Sequence, residues 1–115
     1  DFLNKKTGVY SFKNKDEAQG LLNDSRKQID EIDNDLLNLI CKRTSLANDI
    51  ALAKNYLGIP IYDEKREKIL FDKTKKLAKE MDLDDDIIEQ IMNMLTILSK
   101  NEQKEILRRV ENGKY

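Results

Sequence analysis

The chain has 115 residues, 21 basic and 22 acidic, for a net charge of −1, with one cysteine and no histidine. One domain is expected at this length, and the balanced charge excludes the basic excess of a nucleic-acid footprint. Without histidine, and with Cys41 alone, the commonest general base, a transition-metal site and an internal disulfide all drop out. No cofactor and no metal is expected. No apolar run approaches the ~18–20 residues of a membrane span and no signal peptide is evident, so the expectation is a soluble cytoplasmic protein in a reducing compartment.

Residues 1–15, DFLNKKTGVYSFKNK, are dominated by Lys and Asn, with Val9, Ser11 and Phe12 hinting at a short extended piece. Residues 1–20 read as an N-terminal extension of open role. A long helix is predicted from near Asp16, or after Gly20, to about Tyr56; Gly58 is a natural stop and Pro60 forbids continuation. From 21 to 56 it would be roughly 54 Å long, more than a globule of about 95 residues can cover. Its apolar seam then calls for a second copy of the chain. IYDEKREKILFDKTKKLAKE follows as a second helix with Asp63 as N-cap. The acidic turn MDLDDD leads into a third, about Asp85 to Arg109. With no strand expected, the fold class is all-α: a domain over residues 21–109 and a tail over 110–115.

Read at a seven-residue period, the first helix has a seam of Arg26, Ile29, Asp33, Leu36, Ile40, Arg43, Ala47, Ile50 and Lys54. A cation on a buried face is costly unless an anion meets it there. Arg43 and Lys54 are about 16 Å apart along the axis, close enough for two long side chains to hold a small dianion. Arg26 is roughly 25 Å from Arg43 and could reach the same ligand only from the partner of an antiparallel dimer. Ser99 and Gln103, one turn apart on the apolar side of the third helix, offer uncharged donors. Asp63 and Glu67 stand one turn apart at the start of the second helix, beside Arg66. Each residue has a plainer reading. The cations could snorkel or pair with Asp33 or Asp49, Ser99 and Gln103 could be core-edge residues, and Asp63 is an N-cap in any case. Their joint occurrence favours a pocket for an anionic ligand.

RKQIDEID, KRTSLANDIALAK, GIPIYDEKRE and LSKNEQ together resemble the all-helical class of chorismate mutases over about residues 21–108. The eight active-site positions of that class carry the expected residue types here: Arg26, Arg43, Lys54, Asp63, Arg66, Glu67, Ser99 and Gln103. A neighbouring position, often basic in relatives, is Tyr62. The resemblance implies an intertwined helical homodimer that converts chorismate to prephenate by a Claisen rearrangement in phenylalanine and tyrosine biosynthesis. One substrate carboxylate would sit on Arg43 near Ser99; the other would meet Lys54 and the partner chain's Arg26. The C4 hydroxyl would be held by Glu67, oriented by Arg66, and by the backbone at Asp63. Lys54 and Gln103 would stabilise charge on the ether oxygen.

Two other functions compete with this one. An isochorismate pyruvate lyase on the same fold shares the cations but lacks the Arg–Glu pair of residues 66 and 67. A non-catalytic dimerisation or regulatory module would have no use for cations in its seam.

Overall fold

The computed structural model describes residues 11–113. Val9 of the anticipated extended piece lies outside them, as do residues 114–115 of the tail; Ser11 and Phe12 belong to no strand. Three helices follow in order: α1 over Lys15–Leu57, α2 over Glu64–Glu80 and α3 over Asp85–Glu111. There is no strand among the described residues.

Each helix begins where a side chain satisfies its free N–H groups. Asn14 Oδ1 accepts from the Glu17 N–H at 2.9 Å, and the Glu17 carboxylate reaches back to the Lys13 N–H. This reciprocal arrangement, close to a capping box, starts α1 at Lys15, so that Gly20 lies inside the helix rather than before it. Asp63 accepts from the Arg66 N–H at 3.1 Å, and Asp84 accepts from the N–H groups of both Asp86 and Ile87. The α2 end is set by Asp82 at φ 64°, with the Leu83 N–H reaching back to the Ala78 carbonyl.

The chain divides into two compact units, Asp1–Leu37 and Asn38–Tyr115, and α1 contributes to both. In the first unit Leu21 is half-buried, while Leu22, Ile29, Ile32, Leu36 and Leu37 are exposed, Ile29 to 54% and Leu36 to 52%. The second unit holds the buried residues Ala47 and Ala51 of α1, Ala78 of α2, and Thr96, Gln103 and Ile106 of α3. Most are small, which lets helices approach closely without filling much volume. α2 packs on α3, fastened by Lys75 to Asp86 and Glu89 and by Lys79 to Asp85. The charge of Glu89, followed by its hydrogen bond, holds the Lys75 ammonium above its ordinary pKa.

Near the end of α3, Glu105 receives bonds from Arg108 and Arg109. The Arg108 hydrogen bond is foremost in lowering its carboxyl pKa to about 2 from an ordinary 4.5. A carboxyl lowered in the folded state adds stability above its unfolded value, and that stability is lost as pH falls through the folded one. The thermal midpoint should therefore drop between about pH 4.5 and pH 2. The drop should be shallower in Glu105→Gln, and high salt should shrink the difference because the cluster is on the surface.

Candidate active site

The site is built around the end of α1. Gly58, at φ 70°, adopts the left-handed conformation that ends a helix cheaply only at glycine. Its N–H bonds to the Asn55 carbonyl at 3.3 Å, and the Ile59 N–H bonds to the Lys54 carbonyl at 2.8 Å, the pattern of a Schellman cap. The chain therefore folds back over the last turn, where Lys54 lies. Lys54 Nζ donates to the Ile61 carbonyl at 2.8 Å and to Gln103 Oε1 of α3 at 3.2 Å. Two residues beyond Ile61, Asp63 starts α2.

A cavity of about 430 Å³ opens between the C-terminal part of α1, the start of α2 and the middle of α3. Its apolar wall includes Leu46, Ile50, Ile61 and Leu70. Four cations, Arg43, Lys54, Arg66 and Lys100, line it against two carboxylates, Asp63 and Glu67, an excess of two positive charges. The size falls in the range of small-molecule sites, and the mixture of apolar wall and few polar groups is typical of them.

The cations are not equivalent. Arg43 donates to the Leu95 carbonyl at 3.1 Å, and Lys54 is held by a carbonyl and an amide. Among the described residues neither forms an ion pair: in place of Asp33 or Asp49, the partners of the plainer reading, their acceptors are neutral. Lys100 is different: its ammonium reaches both Glu67 oxygens, at 3.3 and 3.2 Å.

Gln103, only 4% exposed, links two of the donors. An ammonium only donates, so Lys54 fixes the Gln103 amide oxygen toward itself and turns the NH₂ toward Ser99. Nε2 then donates to Ser99 Oγ at 3.2 Å, leaving one Nε2 hydrogen and the serine hydroxyl proton for a ligand. Thr96 also lines the cavity, but its hydroxyl is committed to the Met92 carbonyl.

Of the eight residues singled out in the sequence, seven line this cavity: Arg43, Lys54, Asp63, Arg66, Glu67, Ser99 and Gln103. Arg26, exposed on the first unit, does not. The cation held against Glu67 is Lys100 rather than Arg66, whose backbone serves the Asp63 cap. Lys100 was not singled out, because one lysine among many on a helix carries no signal until the fold sets it beside a carboxylate 33 residues away. Among the described residues no cluster of three His, Cys, Asp or Glu side chains is placed to hold a metal ion. No helix there is long and apolar enough to cross a membrane.

The sequence profile of the family described as chorismate mutase type II matches residues 25–104. A chorismate mutase from Methanocaldococcus jannaschii is 48% identical over 87 residues, which is 76% of this chain and 88% of that protein. A bifunctional chorismate mutase/prephenate dehydratase from Buchnera aphidicola is 33% identical over 76% of this chain but only 23% of its own length. Among solved structures, that of a monomeric chorismate mutase from Methanococcus jannaschii superposes with a TM-score of 0.62 at 42% identity, covering 79% of this chain and 95% of the other. The matched span contains α2 and all seven cavity residues named above, and on this footing the chain belongs to the type II chorismate mutase family.

Proposed function

We propose that this chorismate mutase binds chorismate in the α1–α2–α3 cavity and rearranges it to prephenate, in the service of phenylalanine and tyrosine synthesis. The observation that carries the reading is the pair of cations, Arg43 and Lys54, facing one cavity and held only by neutral groups. Chorismate is a dianion, and the lining has an excess of two positive charges. One carboxylate lies on the Arg43 guanidinium, whose fork suits a bidentate grip, with the Ser99 hydroxyl beside it. The other meets Lys54. Glu67 accepts from the C4 hydroxyl near the backbone at Asp63, with Arg66 at the same rim of the site.

A Claisen rearrangement breaks one C–O bond and forms one C–C bond within a single molecule. No proton is transferred and no covalent intermediate forms, so neither a histidine nor a nucleophile is required. Two effects remain for the protein to supply. Gripping both carboxylates selects the compact, chair-like conformer of the substrate, an entropic and positional gain. As the C–O bond lengthens, negative charge grows on the ether oxygen, and Lys54 with the free Nε2 hydrogen of Gln103 meets it. The bond from Lys54 to Gln103 orients both donors before the substrate arrives.

The functional form in this proposal is a cytoplasmic homodimer with intertwined α1 helices, in which Arg26 of the partner subunit completes the grip on the second carboxylate. What supports it is the exposure of Ile29, Ile32 and Leu36 on α1, a set of large apolar side chains that a soluble chain gains by covering, together with the position of Arg26 outside the cavity lining.

Incubation with chorismate followed by NMR should show prephenate forming at an enzymatic rate; unchanged chorismate would overturn the reading. Lys54→Ala should lower kcat by about 10²-fold or more, the worth of one preplaced donor at a developing oxyanion, with the helical circular dichroism unchanged. Gln103→Glu should confine activity to acidic pH, since only the protonated carboxyl can donate to the ether oxygen. A flat pH–rate profile would contradict that contact. Sedimentation should give twice the mass of one chain. Mixing inactive Arg26→Ala with inactive Arg43→Ala subunits should restore one intact site per heterodimer, and no recovery after verified subunit exchange would rule out a shared site.

A further inference from the structure

Glu67 and Lys100 form the one ion pair within the cavity lining among the described residues. Both side chains are largely withdrawn from water, Glu67 to 16% and Lys100 to 24% exposure. The ammonium spans both carboxylate oxygens, at 3.3 and 3.2 Å, and stands 5.0 Å from the centroid of the Tyr62 ring. A lysine ammonium has three donors on a flexible stem, and here two constraints fix it: the carboxylate on α2 and the aromatic face in the segment that precedes α2. Cation–π attraction strengthens as a cation is desolvated, so a tyrosine at this position makes the half-buried lysine tenable.

We propose that Lys100 is a positioning residue for Glu67. Its ammonium holds the carboxylate in one rotamer with its free lone pairs aimed into the cavity, and the Tyr62 ring holds the ammonium. This rests on the reading of the cavity as a chorismate site in which Glu67 accepts from the C4 hydroxyl. A carboxylate has about four lone-pair directions, and one ammonium uses two, so the substrate hydroxyl still finds an acceptor. In this structure the cation on Glu67 is Lys100 and not Arg66, which is exposed. Lys100 follows Ser99 directly on α3 and precedes Gln103 by one turn. The helix that supplies the uncharged donors at one end of the ligand thereby sets the carboxylate at the other.

The role is distinguished from direct grip on a substrate carboxylate, and from mere fastening of α2 to α3, by which substrate feels its loss. Steady-state kinetics are measured for wild type, Lys100→Met and Lys100→Arg with chorismate and with the analogue lacking the C4 hydroxyl. Lys100→Met should lower kcat/KM for chorismate by about 10-fold, the scale of one hydrogen bond to a charged group, mainly through KM. With the deoxy analogue the same variant should stay within twofold of wild type, and Lys100→Arg should recover most of the loss. Equal losses with both substrates, or none with chorismate, would overturn the proposal. Should Lys100→Met prove unfolded by circular dichroism, Tyr62→Leu against Tyr62→Phe carries the test: only the leucine variant should show the hydroxyl-dependent loss, and a loss in both or in neither overturns the proposal. Wild-type protein that turns over neither compound refutes the chorismate reading itself, and the positioning role with it.

Discussion

The Lys54 ammonium is the tie on which the second unit and its cavity depend. It rises from the last turn of α1, where carbonyl dipoles favour a cation. From there it reaches the Ile61 carbonyl in the segment after the Gly58 cap and the Gln103 amide on α3. The end of α1, the segment that follows it and the distant α3 thus meet at one charge, half-buried and without a carboxylate among the described residues. Holding a cation out of water on neutral dipoles alone costs stability. The cost is offset when an anion arrives, so the bonds that organise the fold here also leave the site short of negative charge.

This arrangement explains which parts of the chain could be read in advance. Gly58 and Pro60 end α1, Asp63 starts α2, and the acids of residues 84–86 start α3 through local rules that need no tertiary information. The seven-residue period of the seam, apolar around Arg43 and Lys54, already set both on one face, and both line the cavity. What the sequence left open depends on the backbone or on long-range contact. The acceptors for Arg43 and Lys54 are main-chain carbonyls and an amide, and a carbonyl has no letter in a sequence. The early start of α1 did have a signal, Asn14 followed by Glu17, but it stands in a Lys- and Asn-rich stretch with no apolar periodicity to draw attention to it. Lys100 could be recognised only through its distance to Glu67.

The seam of α1 shows the same limit from another side. Its apolar members call for cover from a second copy, and in the single chain Ile29, Leu36 and Ile50 are exposed while Ala47 is covered. Periodicity tells which residues share a face, not what covers it. Three of the six buried residues of the second unit are alanines, Ala47, Ala51 and Ala78, and each contributes little apolar area. A chain with so thin a core has much to gain from covering its exposed leucines and isoleucines. Under the proposed dimer, association and site completion become one event, because the helix that covers the seam is also the helix that carries Arg26.

The four cations of the cavity then divide by what already neutralises them. Lys100 is spent on Glu67, and the two together present an acceptor, suited to a hydroxyl. Arg66 stands at the rim near the Asp63 cap, exposed. Arg43 and Lys54 remain without a carboxylate partner among the described residues, their geometry set by carbonyls that attract them without cancelling them. A monoanion would satisfy one and leave the other facing a low-dielectric wall, whereas a rigid dianion satisfies both at once. An uncharged molecule of the same shape would leave both unmet. Under the proposed function, preference for a compact dianion that also carries a hydroxyl thus follows from how each cation is partnered, more than from how many cations there are.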